Sequence, residues 1–136
     1  KFHVGQYITD GYVGGQITSI EDNYPCYKIL DFMGGINTTI PFTLQDNYHL
    51  WTIQDAKDGD VLAAHECYVV FKEIDGLNIK CYCTYHYLGL NPSFYRDTLQ
   101  NKDAFLPATK EQRDSFMKAM NDAGYEWDIK KKELNY

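Results

Sequence analysis

A chain of 136 residues with a net charge of −6 fits one compact domain or two small lobes sharing a core. No apolar run approaches the ~20 residues that cross a bilayer, so no membrane partner is expected. The acidic balance argues against a surface built mainly to neutralise phosphates, and the acidity is uneven: residues 1–100 hold twelve of the nineteen acids but six of the thirteen bases.

Residues 1–88 read as short β-rich pieces. Stretches 6–9, 16–20, 26–30 and 38–40 are β-branched or aromatic and partly alternating, and Asp10-Gly11, Gly14-Gly15, Glu21-Asp22-Asn23 and Gly34-Gly35 punctuate them. Such close strand spacing predicts a small, strongly curved sheet, drawn as an SH3-like barrel by analogy of spacing. Residues 54–57 follow as one helical turn, Asp58-Gly59 reverses the chain, and 60–64 form a strand. Two longer strands over 68–74 and 77–85 flank Asp75-Gly76, a two-residue hairpin signal.

Residues 89–107 form a long loop relieved by a helical turn near 93–99. Thr109 then opens a helix, with Gln112 completing a capping box and Gly124 ending it. Phe116, Met117, Met120 and Ala123 make its apolar stripe, and residues 125–129 return as a strand that brings Trp127 near the core. The predicted fold is α+β and mainly antiparallel: a barrel-like lobe over 1–58, then a β-meander and one C-terminal amphipathic helix over 59–136.

The four cysteines are not spaced like a small disulfide scaffold, and reduced thiols are expected. The first residues lack the apolar segment of a signal peptide, which predicts a soluble cytoplasmic protein. Opening at Lys1 without an initiator Met leaves room for native residues ahead of it.

Candidate chemistry is sparse. Cys81-x-Cys83 puts two thiols on one strand face near Cys67, His65 and His86, but a zinc site ordinarily pairs two such arms and no second arm exists, so packing is the default. Asp55, Asp58 and Asp60 around Gly59 do not follow the ligand spacing of a calcium loop and fit a turn instead. The histidines at 3, 49, 65 and 86 join no nucleophile, zinc or phosphate motif. Neither catalytic residues, a metal nor a cofactor is expected, and the protein is read as no enzyme.

Twelve tyrosines are the unusual part of the composition. Strand alternation places Lys80, Tyr82, Thr84 and His86 on one face, read as exposed, and Ile79, Cys81, Cys83, Tyr85 and Tyr87 on the other, read as buried. Lys80, Tyr82 and His86 are therefore the candidate binding residues, because tyrosine offers a large contact area and loses little side-chain entropy. A half-buried sheet with amphipathic cross-strand pairs is the plainer reading of the same pattern.

Two blocks carry a resemblance. LWTIQDAKDGDVLA at 50–63, and PATKEQRD at 107–114 running on to AGYEWD at 123–128 and KKEL at 131–134, resemble an uncharacterised family of small proteins from gut Bacteroidales, their phages and mobile elements. It covers the C-terminal two-thirds closely and the start only through Val4 to Ile8; Ser115-Phe116 stand where members often carry two leucines. The resemblance implies phage or mobile-element ancestry and carries over no catalytic residue. The function expected is a non-enzymatic macromolecule-binding protein with a protein partner, host interaction or inhibition of a defence system being a purpose that such ancestry suggests. The alternatives are a nucleic-acid-binding small barrel, opposed by the missing basic stripe, and a small-nucleotide-binding protein or an enzyme with a site outside known motifs.

Overall fold

A computed structural model describes residues 1–32, 36–65, 67–86, 94–95, 98–99, 102–128, 130–131 and 133–135, the backbone alone at 94–95, 98–99 and 133–135. The chain divides into two compact units, Lys1–Asp55 and Ala56–Tyr136. The division expected from the sequence lies after residue 58. The fold is α+β: antiparallel strands dominate, and a single α-helix stands among the described residues.

In the first unit, β1 (Tyr7–Thr9), β2 (Gly14–Glu21), β3 (Cys26–Asp31), β4 (Asn37–Pro41) and β5 (His49–Leu50) form one sheet in the order β4-β3-β2-β1-β5. A 3₁₀ helix, Phe42–Asn47, carries the chain from β4 to β5. The expected barrel is an open sheet here: β4 and β5 are its two edges and do not pair among the described residues.

β2 opens on Gly14 and Gly15, where neighbouring strands crowd the backbone. A Cβ at Gly14 would strike the carbonyl oxygen of Ile8, and one at Gly15 that of Leu30, so three backbones converge where only glycine fits. A register shift between Ile17 and Ser19 then reverses the side-chain parity of β2. Ile17 and Ile20 can thus both pack on the core of Phe2, Ile8, Tyr27, Ile29 and Ile40, where strict alternation would send them to opposite faces.

In the second unit, β6 (Val61–Ala64), β7 (Cys67–Asp75), β8 (Asn78–His86), β9 (Phe94–Tyr95), β10 (Thr98–Leu99) and β11 (Leu106–Pro107) build a sheet ordered β10-β8-β7-β6-β11, with β9 also on β8. The helical turn expected near 93–99 is replaced by β9 and β10, because the outer edge of β8 offers those residues ladder partners. The hairpin turns at Gly76-Leu77, one residue later than expected, since Asp75 pairs with Asn78 and Gly76 takes a φ of +62°.

Helix α1 (Lys110–Asp122) starts at Thr109, whose side chain accepts from the Gln112 amide at 3.1 Å while the Gln112 side chain accepts from the Thr109 amide at 2.9 Å. Phe116 and Met120 are fully buried against Val70 and Cys83, Met117 is half-buried, and Ala123 is exposed because it caps the helix end. Gly124 follows with a φ of +89°, and β12 (Glu126–Asp128) pairs with β13 (Glu133–Asn135). Trp127 packs at the margin of this core.

Candidate functional site

β8 holds the three residues singled out from the sequence, and its surroundings differ from strict alternation. The β7–β8 register shifts at Val70/Phe71 and again at Phe71/Glu73. Thr84, expected on the exposed face, is fully buried and its hydroxyl has no hydrogen-bond partner among the described residues. Tyr82 is half-buried: its ring lies 5.3 Å from that of Trp127, with the Lys72 ammonium 5.6 Å from its centroid. Lys80 is exposed and pairs with Glu73 at 3.6 Å, and His86 is exposed at the far end of the strand, opposite Cys67. Ile79, Cys81 and Cys83 are buried, Tyr85 stacks on Phe116 at 6.1 Å, and Tyr87 lies outside the described residues. The strand thus gives Tyr82 to Trp127 and Lys72, two residues that alternation along β8 alone does not reveal.

The metal candidates have local duties. Cys67, Cys81 and Cys83 are buried, and burial pushes the Cys67 thiol up to about 11. Asp55 accepts from the Thr52 amide at 2.9 Å and meets His49 at 2.7 Å; Asp60 accepts from the Lys57 amide at 2.8 Å. Among the described residues no group of three or more His, Cys, Asp or Glu side chains stands close enough to hold a metal ion.

A second surface lies at one end of the first sheet, and sequence reasoning passed over it as a plain turn. Hydrogen bonds to and from Thr9 and Asp10 hold the β1–β2 connection. The Asp10 carboxylate accepts from the amides of Tyr12 and Val13, both at 2.8 Å. Thr9 Oγ1 donates to the Val13 carbonyl at 2.9 Å and accepts from the Gly11 amide at 3.0 Å. The Asp10 amide donates to the Val13 carbonyl at 3.1 Å, and Gly11 takes the φ of +97° that the tight reversal needs.

This braced tip points apolar side chains at solvent. Tyr12 is 89% exposed and Val13 53%. The β3–β4 connection reaches the same end, since the Phe32 amide donates to the Gly14 carbonyl and the Asp31 amide to the Ile36 carbonyl, each at 3.0 Å. Ile36 is 68% exposed, and Phe32 stacks on Tyr7 at 5.9 Å. The Asp10 charge is felt at Tyr48, whose phenol is raised above its ordinary value of 10.0 by burial first and by Asp10 second. Apolar Tyr12-Val13 beside Asp10-Gly11, where a polar turn is usual, is the signal by which the sequence could have pointed here.

No protein family, curated protein or solved structure matches the chain in comparison with each. Among the described residues no helix is long and apolar enough to cross a membrane.

Proposed function

We propose that this chain is a non-enzymatic, cytoplasmic binding protein that docks a protein partner through the Tyr12 tip of its N-terminal unit. The observation that carries the reading is an aromatic residue 89% exposed on a turn braced by hydrogen bonds to and from Thr9 and Asp10. A rigid tip has little freedom left to lose on binding, and tyrosine is among the residues that dominate binding energy at protein interfaces. Val13 and Ile36 supply apolar flanks. Residues 1–55 carry six acids and two bases, a balance that favours a partner with a basic surface. Lys80 and Tyr82 are engaged with Glu73 and with Trp127 and Lys72 inside the second unit, so they weigh less in this reading than Tyr12.

An SH3-like architecture for the N-terminal unit draws support from its strand order, a meander whose last strand returns to β1 after a 3₁₀ helix. Phage or mobile-element origin, with a host macromolecule as target, is the ancestry suggested by the LWTIQDAKDGDVLA and PATKEQRD blocks.

Affinity capture from host lysate with wild-type and Tyr12→Ala baits in parallel tests the reading. The expected result is one polypeptide recovered by the wild type, whose purified form binds the variant about thirtyfold more weakly. Tyr12→Ala should change stability by no more than about 0.5 kcal/mol, as an exposed position does. Equal recovery by both baits, or binding to labelled single-stranded DNA or RNA that weakens with salt while no polypeptide is captured, overturns it.

A further inference from the structure

We propose that β4 is a self-pairing edge through which two copies of this chain join their N-terminal sheets. The inference goes beyond the Tyr12 reading and rests on different residues. The β3–β4 ladder pairs residues whose numbers sum to 67, from Cys26 with Pro41 to Leu30 with Asn37. Hydrogen bonds from the Asp31 amide to the Ile36 carbonyl and from the Phe42 amide to the Pro25 carbonyl, both 3.0 Å, fix which pairs are bonded. In an antiparallel ladder bonded pairs alternate, so Ile36, Thr38, Ile40 and Phe42 turn their backbone groups toward β3. Asn37 and Thr39 turn theirs outward, as does Pro41 with its carbonyl alone. No strand pairs with that outer side among the described residues, and Asn37, Thr38 and Thr39 are exposed.

Edges of this kind are usually blunted by charge, shortness or proline. β5, the other edge, has two residues; β4 has five, from Ile36 to Phe42 it carries no charge, and its proline stands at its last position, Pro41, leaving Asn37 to Ile40 unblunted. The occupant we assign is a second copy because the edge is complementary to itself. When Asn37 faces Thr39 of the second copy and Thr39 faces its Asn37, every outward N–H and C=O of these residues is bonded. Pro41, which lacks an N–H, falls outside the bonded set. The two Thr38 residues then meet across the two-fold axis, a favourable cross-strand pair, and Ile36, 68% exposed, comes opposite Ile40 of the second copy. Although each chain carries a net −6, residues 36–42 themselves carry no charge, and the Lys28 ammonium beside them donates to Thr39 Oγ1 at 3.0 Å.

Sedimentation velocity and light scattering on the full chain over a concentration series test the assignment. The wild type should shift from monomer to dimer as concentration rises, with amide exchange at Asn37 and Thr39 slowing in step. Thr39→Pro removes an outward N–H that β3 does not use and should weaken association about tenfold or more. Thr38→Lys sets two ammonium groups face to face and should weaken it about fivefold or more, as should Thr38→Glu. An equimolar mixture of Thr38→Lys and Thr38→Glu chains should recover a dimer containing one of each. Tyr12→Ala should associate like the wild type, which separates failure here from failure of the docking tip. A wild type that stays monomeric across the series overturns the proposal. So does a dimer that neither Thr38→Lys nor Thr39→Pro weakens, or a monomer whose β4 amides slow only when a foreign polypeptide is added.

Discussion

Tyr27 ties the start of the chain to the sheet through one buried oxygen. Its hydroxyl accepts from the Phe2 amide at 3.1 Å and donates to Gln45 Oε1 at 2.7 Å, and its ring packs between Phe2 and Phe42 at 5.5 and 4.6 Å. Tyr27→Phe keeps the ring and strands a buried N–H, so urea denaturation should show a loss of about 1–3 kcal/mol. Asp60 works in the opposite sense. Burial raises its carboxyl above the ordinary 3.8, more than the Lys57 amide and the charges of Lys57 and Arg113 lower it. A raised carboxyl binds its proton more tightly in the folded chain, so its contribution is fully present below 3.8 and is lost as pH rises through the raised value. Asp60→Asn, which keeps an oxygen acceptor for the Lys57 amide, should therefore show a flatter stability profile than the wild type as pH rises from 3.8. Denaturant midpoints across that window measure it; parallel profiles would refute it.

Helix α1 shows what local chemistry can settle. Its capping box sits at the Thr109 and Gln112 read from the sequence, and Thr109→Ala should lower stability by about 1 kcal/mol, seen as a lower thermal midpoint and faster amide exchange in the first turn. The longer strands were legible for a similar reason, since β-branched alternation and glycine punctuation are local signals: stretches 16–20, 26–30 and 38–40 fall within β2, β3 and β4. Elements that exist only through their neighbours were not legible. β5, β9 and β10, two residues each, carry no periodicity of their own and are strands because β1 and β8 lie beside them. The shifts in β2 and between β7 and β8 are likewise invisible in composition, and they misled the reading of the candidate face: after a shift, counting by twos no longer says which way Tyr82 and Thr84 point. The Tyr12 tip was half legible, for Asp10-Gly11 announces the turn but not the bracing by Thr9 and Asp10 that stiffens it.

Charge divides unequally between the two units. Residues 1–55 hold two bases and six acids; the remaining eleven bases and thirteen acids fall in 56–136, giving −4 and −2 of the total −6. A partner that docks at the Tyr12 tip should approach under the field of the more acidic unit. Its association rate should fall as salt rises, since fields reach only about 8 Å at physiological ionic strength, while its dissociation rate changes little. Stopped-flow measurements at two ionic strengths would show this, and a salt-independent association rate would count against electrostatic steering. The four cysteines bear on how such an experiment is built. All are buried, and Cys67 is held mostly as the unreactive thiol at neutral pH. A Val13→Cys chain, which keeps Tyr12, would consequently bear one readily alkylated sulfur beside the tip, so a fluorophore or photo-crosslinker coupled there would mark the docking point with no need to strip the native thiols first.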